Sequence, residues 1–174
     1  IDLSHKMLEE ATKRNNSPHI EYKCMAIEDF DYIPESYDIV ISSLTFHYLE
    51  LFPDICKKVH RCLTPGGTFV FSVEHPVFTA YGSQDWFYDK QRNILHWPVD
   101  RYFSEGKREA IFLGENVTKF HKTLTTYVNG LIQNGFEITG LVEPEPDKTL
   151  LDSIPGMRDE LRRPMMLIIA AIKK

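Results

Sequence analysis

The chain has 174 residues, of which 43% are apolar and 26% charged, and its net charge is −5 at pH 7. This length suffices for one domain with its own core, and the composition argues against global disorder. Scattered Lys and Arg residues in an acidic chain argue against nucleic acid as the main partner. The longest apolar stretch, residues 165–172, is too short to span a bilayer, so no membrane association is expected.

The three cysteines form no Cys-x-x-Cys pair, and their number is odd. A disulfide framework or a zinc site is therefore not expected, and buried thiols in a reducing cytoplasm are the simpler interpretation. The seven histidines show no convincing ligand spacing, so no metal is predicted.

The first third of the chain predicts a helix, a strand and an irregular acidic segment. Ser4 is a suitable N-cap for a helix that ends near Asn15, with Met7, Leu8 and Ala11 as its apolar stripe. Residues 20–25 are predicted to form a strand, and residues 28–36 are acidic and irregular.

Residues 37–76 carry the most informative pattern. Residues 37–42 are apolar almost throughout, which predicts a strand buried on both faces. An amphipathic helix begins near Pro53, the Pro-Gly-Gly run at 65–67 ends it, and residues 68–73 form a second apolar run. This strand–helix–strand unit predicts two parallel strands with polar residues at their ends, where open α/β sheets bind ligands.

The segment 77–116 interrupts this rhythm. It is rich in aromatic residues and contains both tryptophans, Trp86 and Trp97, without a clear period. An insertion of this kind is typical of a lid or a substrate wall, and the alternative is a surface excursion packed by its own aromatic rings.

Regular elements are predicted again beyond the insertion. Residues 117–134 predict a helix that Gly135 ends, and residues 136–142 and 165–172 predict strands, with a charged connector over 155–164. We therefore predict one domain over residues 1–174 of the α/β class.

These segments together resemble class I S-adenosylmethionine-dependent methyltransferases, closest to the bacterial small-molecule type. The resemblance lies in the order and spacing of several stretches over nearly the whole chain: Ile1 to Leu8, Ala26 to Asp29, Tyr37 to Leu49, the Leu-x-Pro-Gly-Gly element Leu63 to Thr68, and His121 to Phe136. It implies a Rossmann-like, open, mostly parallel sheet with helices on both faces, and S-adenosylmethionine as the cofactor.

The sequence departs from the family in one respect. The family begins with a strand and a Gly-rich loop that holds the methionine end of the cofactor, and no such loop precedes Asp2. In the family's strand order, 3-2-1-4-5-7-6, the first strand is central. We therefore expect a sheet that is incomplete on its N-terminal side. A longer parent protein, a second chain or re-paired strands would each satisfy its edges, and an intact mass near 20.3 kDa would exclude a hidden N-terminal segment.

The resemblance also implies a set of cofactor-binding residues. Asp2, with Leu3 beside it, occupies the position whose carboxylate binds the ribose hydroxyls, although Asp2 could instead stabilise the start of the helix. Ala26 stands where the family usually has an acid for the adenine, so Ile27 and Glu28 are the substitutes, with a solvated loop acid as the alternative for Glu28. Ser43 and Leu44 take the positions near the sulfonium, with core packing as the alternative for Leu44.

Methyl transfer needs positioning more than it needs a base, since the sulfonium is already an excellent leaving group. If a base acts near pH 7, a histidine suits the task. His47, His75 and His121 are the candidates, each with a structural role as the alternative.

The acceptor is expected to be a small molecule, flat or aromatic, that contacts Trp86, Tyr88, Trp97 and Tyr127. The other functions we considered are an NAD(P)-dependent oxidoreductase that uses Asp2 on a ribose, and a non-catalytic, truncated interaction module. A homo-oligomer is compatible with the sequence.

Overall fold

The computed structural model describes residues 1–112 and 114–174. It divides into two compact units, Ile1–Ile33 and Pro34–Lys174. This division does not test the prediction of one domain, which stays a prediction. Among the described residues, no helix has both the length and the apolar character required to cross a membrane.

The first unit contains helix α1 (His5–Arg14) and a short 3-10 helix (Ile27–Asp29). The predicted cap is confirmed, because the Ser4 hydroxyl accepts a hydrogen bond from the Met7 N–H. The strand predicted over 20–25 is wrong. Its only ladder contact in the described structure is a single parallel bridge between Asp2 and Cys24.

The second unit is built on a four-stranded sheet. Its strands are β1 (Tyr37–Ser43), β2 (Leu63–Glu74), β7 (Phe136–Val142) and β8 (Met166–Lys173), in the order β1-β2-β8-β7. The β1–β2 pair is parallel, as predicted, whereas β8 runs antiparallel to both β2 and β7. This order matches the 4-5-7-6 half of the expected topology, and the predicted α/β class is confirmed.

Helices α2 (Phe52–Cys62) and α4 (Leu124–Gln133) pack on one face of this sheet. The rings of Phe52 and Tyr127 join the two helices at 4.9 Å between centroids, and Phe71 of β2 lies 5.2 Å from Phe52. Alternate residues of β2 on this face, including Phe69 and Phe71, are fully buried, so the core lies between the sheet and the two helices.

Strand β1 departs from its predicted environment. Ile39 is 59% exposed and Ile41 is 73% exposed, so the prediction of a strand buried on both faces is wrong. Within the described part of the chain, β1 pairs with β2 alone, and its other edge has no ladder partner. A run of apolar residues shows that a strand is suited to burial. Whether the strand is buried depends on the elements that pack on its two faces.

The insertion is more regular than its sequence suggests. It forms a short helix α3 (Pro76–Thr79), a hairpin of β3 (Phe87–Tyr88) with β4 (Ile94–His96), and strand β5 (Gly106–Phe112). Strand β5 pairs with β6 (Glu115–His121), so the helix predicted to begin at Val117 instead begins at Leu124, after its N-cap Thr123. The charged connector contains a 3-10 helix over Met157–Arg162.

Candidate cofactor and acceptor site

In the first unit, a single parallel bridge joins Asp2 to Cys24, and the predicted nucleoside-binding residues are Asp2 itself and residues that come shortly after each of these two positions in the sequence. The Asp2 N–H donates to the Lys23 carbonyl over 3.2 Å, and the Met25 N–H donates to the Asp2 carbonyl over 3.1 Å. Because both segments run in the same direction, the residues that follow the bridge emerge at one end of it. These residues include Leu3, Ala26, Ile27 and Glu28.

The Asp2 carboxylate, predicted to bind a ribose, is held by the backbone just before α1. Asp2 is exposed, and its Oδ1 atom accepts the Ser4 N–H over 2.7 Å, which fixes the carboxylate just before α1. Its Oδ2 atom has no hydrogen-bond partner within the described residues. A fixed carboxylate with free acceptor capacity can bind a vicinal diol.

In the second unit, Ser43 and Leu44 lie at the carboxyl end of β1. The Leu44 N–H donates to the Ser72 carbonyl over 2.9 Å, and the Ser43 and Ser72 hydroxyl oxygens are 3.4 Å apart. Leu44 has a φ of 54° and is 40% exposed, so it is not a core residue. A non-glycine residue in the left-handed region is a strained feature that is often found at functional sites.

A buried polar centre lies at the end of β2. The Lys119 Nζ atom donates to Glu74 Oε1 over 2.6 Å and to Gln84 Oε1 over 2.8 Å, and Gln84 Nε2 donates to Glu74 Oε2 over 2.7 Å. Lys119 is 2% exposed and Glu74 is 7% exposed. Their opposite charges compensate each other, and Gln84 and Lys119 bring the insertion and β6 against the sheet.

His47 joins the ends of the two parallel strands. Its Nδ1 atom accepts the Glu74 N–H over 3.3 Å, and its ring lies 4.3 Å from that of Tyr48. Burial lowers the pKa of His47 to about 4, against the opposing effect of Glu74. At pH 7 the ring is neutral, and because Nδ1 accepts, its hydrogen is on Nε2. This arrangement favours a donor and positioning role over proton abstraction.

Lys122 holds the loop that contains His47. Its buried ammonium donates to the carbonyls of Phe46, Leu49 and Phe120, which ties the short 3-10 helix Phe46–Tyr48 to β6. Burial lowers the pKa of Lys122 to about 8.

His75 is engaged in structural contacts. Its Nδ1 atom accepts the Val77 N–H over 3.0 Å at the start of α3, and its Nε2 atom lies 2.8 Å from a Glu143 oxygen without the alignment of a hydrogen bond. Burial lowers the pKa of His75 despite the nearby carboxylate.

His121 is engaged on both sides of its ring. It is fully buried at the end of β6, not at the start of a helix as expected. Its Nε2 atom lies 2.8 Å from the Tyr102 carbonyl and its Nδ1 atom 2.8 Å from the Thr79 hydroxyl. Burial lowers its pKa. The geometry therefore favours a structural role at His121.

The structure brings two of the predicted acceptor residues, Trp86 and Trp97, together. Their rings meet edge to face at 5.1 Å, and Phe78 stacks on Trp97 at 4.9 Å. The Arg163 guanidinium lies 4.3 Å from the Trp97 ring centre and 5.1 Å from that of Trp86. A two-pronged pair with Glu160, over 2.7 and 3.0 Å, fixes Arg163 in turn.

Trp86 lines a cavity of about 610 Å³, beside the start of β8 and the loop after β7. The described residues that line this cavity do not include Trp97, Tyr88 or Tyr127. Tyr88 donates to Asp85 over 3.1 Å in the first hairpin of the insertion, and Tyr127 is buried between Phe52 and Phe71. Burial raises the pKa of Tyr127.

The sequence analysis missed the charged residues of this region. Glu74 and Lys119 are separated by 45 positions, and Glu160 and Arg163 lie in the segment predicted to be a charged connector. The available signal was that Glu74 directly follows an apolar strand, at the end where polar residues were already expected.

Comparison with known proteins connects this geometry to a family. A model of a methyltransferase domain matches residues 1–71. A candidate S-adenosylmethionine-dependent methyltransferase from Listeria monocytogenes is 54% identical, with a TM-score of 0.94 over 99% of this chain and 77% of its own. An S-adenosylmethionine-dependent methyltransferase from Mesorhizobium loti is 36% identical, with a TM-score of 0.87 over 98% of this chain and 78% of its own.

Curated protein sequences also match this chain. An uncharacterised protein from Haemophilus influenzae is 32% identical over 99% of this chain and 70% of its own length. A malonyl-[acyl-carrier protein] O-methyltransferase from Priestia megaterium is 33% identical over 41% of this chain, which corresponds to 26% of that enzyme. The chain belongs to the S-adenosylmethionine-dependent methyltransferases.

Proposed function

We propose that this protein transfers a methyl group from S-adenosylmethionine to a small-molecule acceptor at the carboxyl ends of β1 and β2. The observation that carries this proposal is that hydrogen bonds join the ends of the two strands. The Leu44 N–H donates to the Ser72 carbonyl, and the Glu74 N–H donates to His47 Nδ1. In open α/β sheets this edge is where ligands bind.

The cofactor would supply an electrophilic methyl group on a positively charged sulfur. Asp2 would accept hydrogen bonds from the ribose hydroxyls. Ile27 would cover the adenine, with Glu28 and the backbone near Ala26 at its edge. Ser43 and Leu44 would lie against the methionine side, where the exposed Leu44 side chain excludes water from the reacting carbon.

The structure supports a mechanism that depends on positioning and not on a strong base. The neutral His47 ring holds the end of β2, and the rings of His75 and His121 are occupied by neighbouring groups. An acceptor that is already nucleophilic needs only to be held in line with the transferred methyl group.

The sequence similarity to malonyl-[acyl-carrier protein] O-methyltransferases covers only a small part of those enzymes and does not identify the acceptor of this protein. The matched stretches cover 26% of the Priestia megaterium enzyme and 36% of the one from Acetivibrio thermocellus. We therefore infer the acceptor from the residues of this chain, whose Trp86 lines the cavity and favours a flat or aromatic molecule.

Calorimetric titration with S-adenosylhomocysteine tests the proposal. We expect micromolar binding, and we expect Asp2→Asn to weaken it about tenfold, since a hydrogen bond to a charged group contributes about 1.5–3 kcal/mol. Glu9→Gln, on the exposed side of α1, is the matched control and should bind as the unmodified protein does. Tighter binding of NADH would favour an oxidoreductase, and no binding of either compound would favour a non-catalytic module.

A further inference from the structure

The cavity beside Trp86 has an apolar wall formed by Trp86, Ile94, Leu150, Met157, Met165 and Met166. Met166 pairs with Glu74 across β8 and β2, so the cavity opens at the same end of the sheet as the strand ends of the proposed site. Ser43 is level with Ser72 and Ile168, and Met166 lies two residues further along β8, so two strand spacings and two residues, about 12 Å in all, separate Met166 from Ser43. A molecule of moderate size can span that distance.

Two arginines that are not among the described lining residues hold Trp86 in place. The guanidinium groups of Arg162 and Arg163 lie 5.0 and 5.1 Å from its ring centre, and Arg162 also donates to the Leu95 carbonyl over 2.6 Å. The first hairpin of the insertion is therefore anchored to the Met157–Arg162 helix, and the wall is preorganised.

The charges on the cavity are of one sign. Its lining contains Glu145, Asp159 and Glu160, and no Lys, Arg or His is found among the described lining residues. Arg162 pairs with Asp159 over 3.0 Å and Arg163 with Glu160 over 2.7 Å, so these two carboxylates are compensated. Glu145 has no ion-pair partner in the described part of the chain, which leaves one uncompensated negative charge at the rim.

A neighbouring carboxylate adds to this effect. Glu143, two positions before Glu145, faces the Nε2 atom of His75 at 2.8 Å, and burial lowers the pKa of that histidine. A neutral imidazole does not cancel the charge of Glu143. The alternation Glu143, Pro144, Glu145, Pro146 also stiffens this segment, of which residues 144–146 line the cavity.

We propose that this cavity binds an apolar molecule that carries a cationic nitrogen, with the apolar body against Trp86 and the methionines and the nitrogen near Glu145. The identification of this ligand as the methyl acceptor rests on the proposed function. The binding site itself rests on the cavity and its charges.

Three naphthalene probes of similar size test the charge preference by calorimetry: 2-naphthylmethylammonium, 2-naphthylmethanol and 2-naphthoate. We expect the ammonium to bind about threefold more tightly than the alcohol, and the carboxylate about threefold more weakly, as is typical of a solvent-exposed charge pair. Equal affinity of the ammonium and the carboxylate would overturn the proposal.

Two variants and a control locate the effect. Glu145→Gln should bring the ammonium to the affinity of the alcohol and leave the alcohol unchanged, whereas Leu150→Trp should narrow the cavity and weaken binding of both. Glu137→Gln removes an exposed carboxylate at the opposite end of β7 and should change nothing. Unchanged binding in the Leu150→Trp variant would show that the probes bind elsewhere and would contradict the proposal.

The titration with S-adenosylhomocysteine keeps the two proposals separate. If the probes bind as expected but the nucleoside does not, the methyltransferase proposal fails and the cavity remains a site for cationic apolar ligands. If the nucleoside binds and the probes show no charge preference, only the inference about the cavity fails.

Discussion

The Nζ atom of Lys119 lies 2.6 Å from the Oε1 atom of Glu74, and both side chains are buried at the end of β2. This pair connects β6 to the strand whose end forms part of the proposed site. Gln84 completes it by bonding to both partners. The polar centre is therefore a closed network, and removal of one charge leaves the other buried without compensation.

Lys119→Met should lower the free energy of unfolding by about 3–5 kcal/mol, because the Glu74 carboxylate loses its counter-charge. Urea denaturation measures this change. Lys107→Met removes a lysine from an exposed pair with Glu109 and should cost less than about 1 kcal/mol. The double change Lys119→Met with Glu74→Leu should recover most of the loss. A cost for Lys119→Met as small as that of Lys107→Met would contradict this account of the pair.

The free energy of unfolding should decrease as the pH is lowered from 6.5 to 4. His47 has a folded-state pKa of about 4, below its ordinary value of 6.5, so protonation favours the unfolded chain. Its contribution is fully present above pH 6.5 and is lost as the pH falls toward 4, by about 3 kcal/mol. His75 and His121, whose pKa values are also lowered, act in the same direction.

His47→Asn isolates the contribution of this residue, since the Asn side chain carries an acceptor but no titrating group. Unfolding free energies measured from pH 7.5 to 4.5 should show a shallower slope in this variant than in the unmodified protein. Identical slopes would mean that His47 is not the buried neutral histidine described above.

Arg163→Lys should loosen the tryptophan pair. Lysine cannot reproduce the two-pronged contact with Glu160 or the planar stacking on Trp86 and Trp97, so we expect a loss of about 2 kcal/mol. Trp86 and Trp97 are the two tryptophans of the chain, so intrinsic fluorescence reports on this site and should shift to the red. Arg158→Lys, in an exposed pair with Asp152, serves as the control and should leave the emission unchanged.

Gly135→Ala should be more destabilising than Gly156→Ala. Both glycines have a positive φ, of 83° and 81°. An alanine in this left-handed conformation loses about 1–2 kcal/mol of folding free energy. At Gly135 an added Cβ would also lie 2.8 Å from His60 Nε2, whereas at Gly156 it would meet nothing within 4 Å. Thermal unfolding of the two variants measures the difference. Equal melting temperatures would show that the His60 ring moves aside at no cost.

Local signals in the sequence predicted much of the fold. The Ser4 cap and the run at 136–142 each depend on neighbouring residues, and they are confirmed by α1 and β7. The Pro-Gly-Gly run, predicted to end the helix and turn the chain, lies instead within β2, at an irregularity of its register with β1, and α2 ends before it at Cys62. The same kind of signal failed at Val117. Phe120 and Leu124 are spaced as on a helix, but β-branched Val117 and Thr118 favour a strand, and pairing with β5 decided the outcome.

The site could be predicted only in part. Ser43 and Leu44 were expected at the end of an apolar run, and the structure has them at the end of β1, while their cofactor role, which the resemblance implied, stays a prediction. The partnership of Glu74 with Lys119 depends on contact between β2 and β6, which no local pattern encodes. Likewise, Arg163 acquires its role only where the insertion meets the segment after β7.

The most direct test of the account is an amide NMR titration of the protein with S-adenosylhomocysteine. If the ends of β1 and β2 hold the cofactor, saturable shifts should concentrate at Asp2, Ile27, Ser43 and Leu44, and Glu137 should not move. Saturable binding that leaves Ser43 and Leu44 unperturbed would contradict the placement of the site at these strand ends.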